Sequence, residues 1–211
     1  MWPTILLLSS IHLFTIERGP RWLFYGSKPL PVLLMAALIT LNPTVDANLA
    51  FWIFSGLILS AIGDVLLSLP KDKFISGLSS FLLAHICYVL GFIGMVNTIS
   101  WWIPVMILAL GILAFLLLLP NLGTMTLPVA IYILIIVAMG SATAEYWLSY
   151  NSSSARLAFT GACIFMVSDL VLAIDRFRSS SKFSRHVVMF TYYTAQALLT
   201  LSVLTLSVLD S

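Results

Sequence analysis

Asp64 and Asp169 are the residues in this sequence whose type and setting most clearly allow chemistry. Each lies inside an apolar run long enough to cross a bilayer, GLILSAIGDVLLSLP at 56–70 and GACIFMVSDLVLAIDRF at 161–177. An ionisable side chain at membrane depth is costly to keep there and points to function. The structural reading is that each Asp bonds a Ser or Tyr of a neighbouring helix and fixes packing. Two such residues in matching surroundings weigh against that reading, the more so because no Lys or Arg falls in the interior of an apolar span to neutralise them. Two carboxylates, one protonated and one ionised, supply an acid and a base at once, which hydrolysis of an acid-labile bond requires.

His85 and Tyr88 stand in LSSFLLAHICYVLGF (78–92), where helical spacing puts Gly77, Phe81, His85 and Tyr88 on one face. A lone helical His is more often a satisfied core residue than a catalyst. His85, about 16 Å below the end of its helix, could also floor a cavity whose upper wall carries the Asp pair. Tyr192, Tyr193 and Gln196 make a comparable polar face on the last apolar run. Lys28, just before Pro29, and Arg176, two turns after Asp169, are candidates to hold a phosphate at headgroup level, beyond their part in setting topology. Glu145, near the end of its run, reads as an interfacial, solvated carboxylate. The three histidines, His12, His85 and His186, fall at different expected depths and none has the spacing of helical metal ligands, so no metal is expected. No Gly-x-Ser-x-Gly elbow and no phosphate-cradling glycine loop occurs. No cofactor is expected.

The elements that must position these residues follow from composition. Of 211 residues, 61% are hydrophobic and 9% charged, with a mean hydropathy of +1.08, far from the composition of a soluble domain. A span takes about 20 apolar residues. The chain therefore reads as one all-α, polytopic transmembrane bundle domain over residues 1–211, with no room for a soluble domain. Hydropathy and breakers give eight spans: 2–16, 29–42, 49–69, 74–96, 101–119, 125–149, 155–175 and 185–209. The first run has neither a basic lead nor a cleavage site and is expected to stay as a helix. Cys87 and Cys163 sit in apolar runs and read as core residues. No basic run with interleaved aromatics occurs, which excludes nucleic acid as a partner.

Charge then orients the bundle. Arg18, Arg21, Lys28, Lys71, Lys73, Arg176, Arg178, Lys182 and Arg185 all fall on one side of the eight-span arrangement, and only Arg156 on the other. The excess of Lys and Arg marks the cytoplasmic side, so both termini are expected on the non-cytoplasmic side. Each Asp then lies about six residues, or about 9 Å, from the cytoplasmic end of its span. At an offset of about 105 residues Gly56 falls on Gly161, Asp64 on Asp169 and Tyr88 on Tyr193, a candidate four-plus-four parallel repeat.

Several stretches together resemble the YhhN family of integral membrane proteins, whose animal members are the TMEM86 proteins, the lysoplasmalogenases. They are SKPLPVLL at 27–34, GDVLL at 63–67, FISGLSSFLLAHICY at 74–88, the 161–177 run and YYTAQALL at 192–199. The resemblance implies an eight-helix hydrolase that cleaves the vinyl ether bond of a lysoplasmalogen to a fatty aldehyde and glycerophosphoethanolamine or glycerophosphocholine. The residues read above suit that reaction: Asp64 and Asp169 are the expected catalytic residues, with Lys28, His85, Tyr88, Arg176, Tyr192, Tyr193 and Gln196 expected to bind substrate or support the site. The partners implied are a lysophospholipid substrate and membrane lipids, and the expected location is the inner membrane of a bacterium. The reading from another class is a proton-coupled transporter of lipid or small amphiphile that uses the same Asp pair as a relay.

Overall fold

The computed structural model describes residues 1–69, 73–96 and 98–206. All regular structure among them is helical: α1 (Trp2–Thr15), α2 (Arg21–Ser27), α3 (Leu30–Leu41), α4 (Ala47–Ser68), α5 (Phe74–Ile93), α6 (Trp102–Leu118), α7 (Thr126–Tyr150), α8 (Ser153–Phe177) and α9 (Lys182–Leu204), with two short 3-10 turns between α6 and α7. Local chemistry sets the ends. The Asp46 carboxylate accepts from the amides of Asn48 and Leu49 and starts α4. The Ser152 hydroxyl caps α8, and Ser181 with Ser184 forms a reciprocal capping box at α9. At the end of α7 the chain turns through Asn151 with φ of 47°, the left-handed value that Asn tolerates better than most residues.

Seven helical stretches among the described residues are long and apolar enough to cross a membrane, and Trp2–Thr15 is a shorter apolar helix before them. These occupy the order expected of eight spans, with one change of form. The second span does not begin at residue 29: it reaches back to Arg21 through a break between α2 and α3. Pro29 and Pro31 cannot donate to the helical ladder. Within the break the Lys28 carbonyl accepts the Tyr193 hydroxyl at 2.9 Å. Counted from the helix ends, Asp64 stands one turn before Ser68 and Asp169 two turns before Phe177, because α8 runs past its expected end. Lys71, the turn at Pro70, Asn97 and the last expected residues of the final span lie outside the described residues.

Two helix pairs, α4 with α5 and α8 with α9, make the most extensive contacts in the bundle. Each has a glycine at its crossing. A Cβ on Gly56 would stand 2.1 Å from the Tyr88 ring, and one on Gly161 would stand 3.1 to 3.3 Å from Leu198, Leu199 and the Ala195 carbonyl. The two glycines therefore let the paired backbones close around side chains that a larger residue would displace. Helix α7 packs on both pairs, α3 lies against α4 and α9, and α6 leans on α7 at the edge with only light contact to α8. Large apolar side chains point outward along the bundle, among them Leu6, Leu7, Phe51, Leu110, Leu113 and Leu134, as lipid-facing surfaces require.

Glu145 departs from expectation. It is buried, not solvated, and its Oε1 accepts the Ser100 amide at 2.6 Å. The loop entering α6 folds back over the end of α7, and the carboxylate satisfies a backbone donor that would otherwise be stranded.

Candidate active site

Each aspartate is met by side chains of other helices. Asp64, on α4, accepts the Tyr192 hydroxyl of α9 at 2.8 Å, and Lys28 Nζ lies 3.8 Å from its other oxygen. The Lys28 and Asp64 side chains are 12% and 2% exposed. The expectation that no cation reaches the membrane carboxylates therefore fails. Lys28 sits in the break between α2 and α3, within the 21–41 stretch and not at its end, and its four-carbon stem carries the ammonium to Asp64. Tyr193, next to Tyr192, fixes this break through the Lys28 carbonyl.

Asp169, on α8, accepts the Tyr132 hydroxyl of α7 at 3.1 Å, and His85 Nε2 of α5 lies 3.3 Å from the same oxygen. His85 Nδ1 donates to the Phe81 carbonyl at 2.7 Å. A carbonyl only accepts, so Nδ1 carries the hydrogen and Nε2 of a neutral ring presents a lone pair. Nε2 has no aligned hydrogen-bond partner, and a lone pair facing a carboxylate oxygen is repelled unless a proton lies between them. The His85–Asp169 couple is thus built to hold one proton, whichever atom bears it.

The remaining predicted residues link the two clusters. The Tyr88 hydroxyl donates to Gln196 Oε1 at 2.7 Å and lies 3.4 Å from Ser60 Oγ. Phe165 stands between, its ring centre 4.6 Å from that of His85 and 5.6 Å from that of Tyr192. The structure thus brings Asp64, Lys28, Tyr192 and Tyr193 into one cluster and Asp169 and His85 into a neighbouring one. Among the described residues the two carboxylates share no partner. Tyr132 is a site residue that the sequence reading missed. Its signal was present, as it is the one hydroxyl-bearing aromatic in the apolar stretch IYILIIVAM (131–139).

Two cavities adjoin these clusters. A cup of about 600 Å³ is lined by His12, Lys28, Asp175, Arg176, Arg178 and Arg185, among others. The Arg176 guanidinium lies 4.5 Å over the Phe74 ring. Asp175 accepts the Ser181 amide and contacts Ser184 Oγ, so it ties the loop after α8 to the start of α9. A groove of about 630 Å³ runs between α6, α7 and α8, with Asp169 and Tyr132 on an otherwise apolar wall. Phe74, Leu172 and Phe177 line both. A basic cup therefore adjoins an apolar groove, the shape of a molecule with an anionic head and a hydrocarbon tail.

The sequence model of the YhhN family matches residues 23–203. The chain belongs to that family. A relative from Escherichia coli O6:H1, named uncharacterized membrane protein YhhN, is 26% identical over 183 residues, covering 86% of this chain and 88% of its own length. Human lysoplasmalogenase TMEM86B is 35% identical over 207 residues, covering 96% of this chain and 86% of its own. Lysoplasmalogenase TMEM86A from Bos taurus is 37% identical over 156 residues, 71% of this chain and 64% of its own. No solved structure matches. The relative from Escherichia coli O6:H1 is named a membrane protein, and this chain, with seven stretches long and apolar enough to span among the described residues, is a multi-pass membrane protein.

Proposed function

We propose that this family member hydrolyses the vinyl ether bond of a lysoplasmalogen, releasing a fatty aldehyde and glycerophosphoethanolamine or glycerophosphocholine. The observation that carries the reading is the proton-holding Asp169–His85 couple on the wall of an apolar groove that joins a basic cup. The names of the TMEM86A and TMEM86B relatives supply the bond.

In the mechanism, Asp169 gives its proton to the β-carbon of the enol ether. The double-bond electrons form the new C–H bond, and the ether oxygen shares a lone pair to make an oxocarbenium ion, now facing the Asp169 carboxylate. Water adds to the carbon bearing that oxygen and returns its surplus proton to Asp169. The hemiacetal then collapses to aldehyde and glycerol hydroxyl. One carboxylate acts as acid and then base, as the acid residue of retaining glycosidases does. His85 Nε2 steadies the proton on Asp169, and Tyr132 orients the carboxylate. Asp64 serves as the second carboxylate, holding Lys28 at the cup and adding standing negative charge near the cation. Tyr88, Tyr192, Tyr193 and Gln196 support this frame, and Lys28 and Arg176, with Arg178 and Arg185, receive the phosphate.

A four-plus-four repeat fits the same frame. Asp64 of the α4–α5 pair is met by α9, and Asp169 of the α8–α9 pair is met by α5, so each pair completes the other's site. With the basic cup toward the cytoplasm, both termini lie outside it, in a bacterial inner membrane or its equivalent. A transporter relay would call for spans interrupted near mid-membrane. Helices α4 and α8 are continuous, and the break at Pro29 lies beside the cup.

The test is aldehyde release from a lysoplasmalogen in detergent by wild type, Asp64→Asn and Asp169→Asn, each checked for folding. Turnover by wild type, with loss of orders of magnitude in Asp169→Asn, supports the mechanism. A folded wild type that releases no aldehyde overturns the substrate, and transport of an amphiphile then becomes the reading to examine.

A further inference from the structure

The groove has a floor. Beyond Val137 the three helices converge: a Cβ on Gly140 of α7 would stand 3.0 Å from Met166 Sδ of α8 and 3.5 Å from Ile107 Cγ2 of α6. Met166 and Val137 also line the groove, together with Cys163 and Gly111. At this point α6, α7 and α8 pack in van der Waals contact. Asp169 divides the groove along its length. Toward the cup lie Leu172 and Phe177, the latter about 12 Å along α8; away from it Cys163 lies about 9 Å deeper.

We propose that the deep half of the groove seats the single alkenyl chain of the substrate, and that Met166 and Cys163 gauge the chain length the protein accepts. This rests on the proposed function. A headgroup held in the cup and a reacting bond at Asp169 leave only the part beyond Asp169 for the chain. The wall there is apolar and suits no polar occupant. Helix α6 touches α8 only lightly, so the chain enters, and the aldehyde leaves, sideways into the bilayer, while the glycerophosphate product departs through the cup. Chain length matters because methylenes that find no room must be left folded or in lipid.

The experiment measures kcat/KM for two lysoplasmalogens of the same headgroup, one with a short and one with a long alkenyl chain, on folded wild type, Cys163→Phe and Met166→Ala. Phenylalanine at Cys163 fills the seat and lowers the long-to-short ratio about tenfold, and alanine at Met166 lowers the floor and raises it, since a methylene or so of pocket depth discriminates by about that factor. Binding of the saturated 1-O-alkyl analogues, in the same two lengths, is read in parallel by their displacement of a fluorescent lysolipid. If both variants keep the wild-type ratio in turnover and binding, the chain lies elsewhere and the proposal is overturned. If no chain is hydrolysed but the binding ratios shift in opposite directions, the seat stands and the reaction assigned to it falls.

Discussion

Replacing Lys28 with methionine keeps most of the side chain's length but strands the Asp64 carboxylate at 2% exposure. At 3.8 Å the attraction between unit charges is about 4 kcal/mol for an effective dielectric constant of about 20. Breaking a buried pair from either side costs about 3–5 kcal/mol, because the partner stays buried and uncompensated. Lys28→Met and Asp64→Asn should therefore each destabilise the bundle by about 3 kcal/mol. The double variant buries no unpaired charge, so its loss should fall short of the sum by about 2 kcal/mol or more. Asparagine still offers Tyr192 an acceptor, so the cycle isolates the charge pair from the hydrogen bond. The assay is reversible unfolding of the four proteins in mixed detergent micelles. Losses that add to within about 0.5 kcal/mol would refute the reasoning, showing that lysine and aspartate contribute independently.

Three other outcomes are expected. Hydrolysis in heavy water should give an aldehyde with a single deuterium on the carbon next to the carbonyl, read by mass spectrometry; an undeuterated product would rule out proton delivery from an exchangeable acid such as Asp169. Glu145→Ala should cost about 1–3 kcal/mol of stability by orphaning the Ser100 amide, while the activity of the remaining folded protein stays at the wild-type level; a large fall in that activity would place Glu145 in the site. In intact cells, with Cys87 and Cys163 replaced, a membrane-impermeant maleimide should label Ser153→Cys and spare Ser179→Cys, and the reverse pattern would invert the orientation.

The sequence showed the residues whose positions repeat with the helix. His85 and Tyr88 share a face with Gly77 and Phe81, and all four are buried toward the site. Tyr192, Tyr193 and Gln196 were found in the same way, as one polar face of a single apolar run. What stayed hidden depends on reach across helices. Lys28 looked like a rim charge because its position sits at a span's end, and only its stem and the proline break bring it to Asp64. Tyr132 looked like one more aromatic in an apolar run, since the partner that gives its hydroxyl a role is 37 residues away. Glu145 was misplaced because the loop before α6 closes over it, and loop conformation leaves no periodic trace. Seven of the eight expected spans were legible because apolar length is additive along the chain, whereas the α2–α3 break depended on the Lys28 carbonyl meeting the Tyr193 hydroxyl of α9.

The last helix holds the earlier ones to their tasks. Tyr192, Tyr193 and Gln196 reach back to Asp64, Lys28 and Tyr88 across 128, 165 and 108 residues, and Ser168 of α8 bonds the Val188 carbonyl on α9. During synthesis, Asp64 enters the bilayer long before Tyr192 has been made. Until α9 arrives, the nascent protein holds the Asp64 carboxylate without its Tyr192 donor, with Lys28 as the partner already made. A chain cut short before residue 192 retains Asp169, His85 and Tyr132 but lacks the side chains that meet Asp64, Tyr88 and the Lys28 carbonyl. Completion of the final helix is thus what closes the Lys28–Asp64 half of the frame, the last contacts of the bundle to form in chain order.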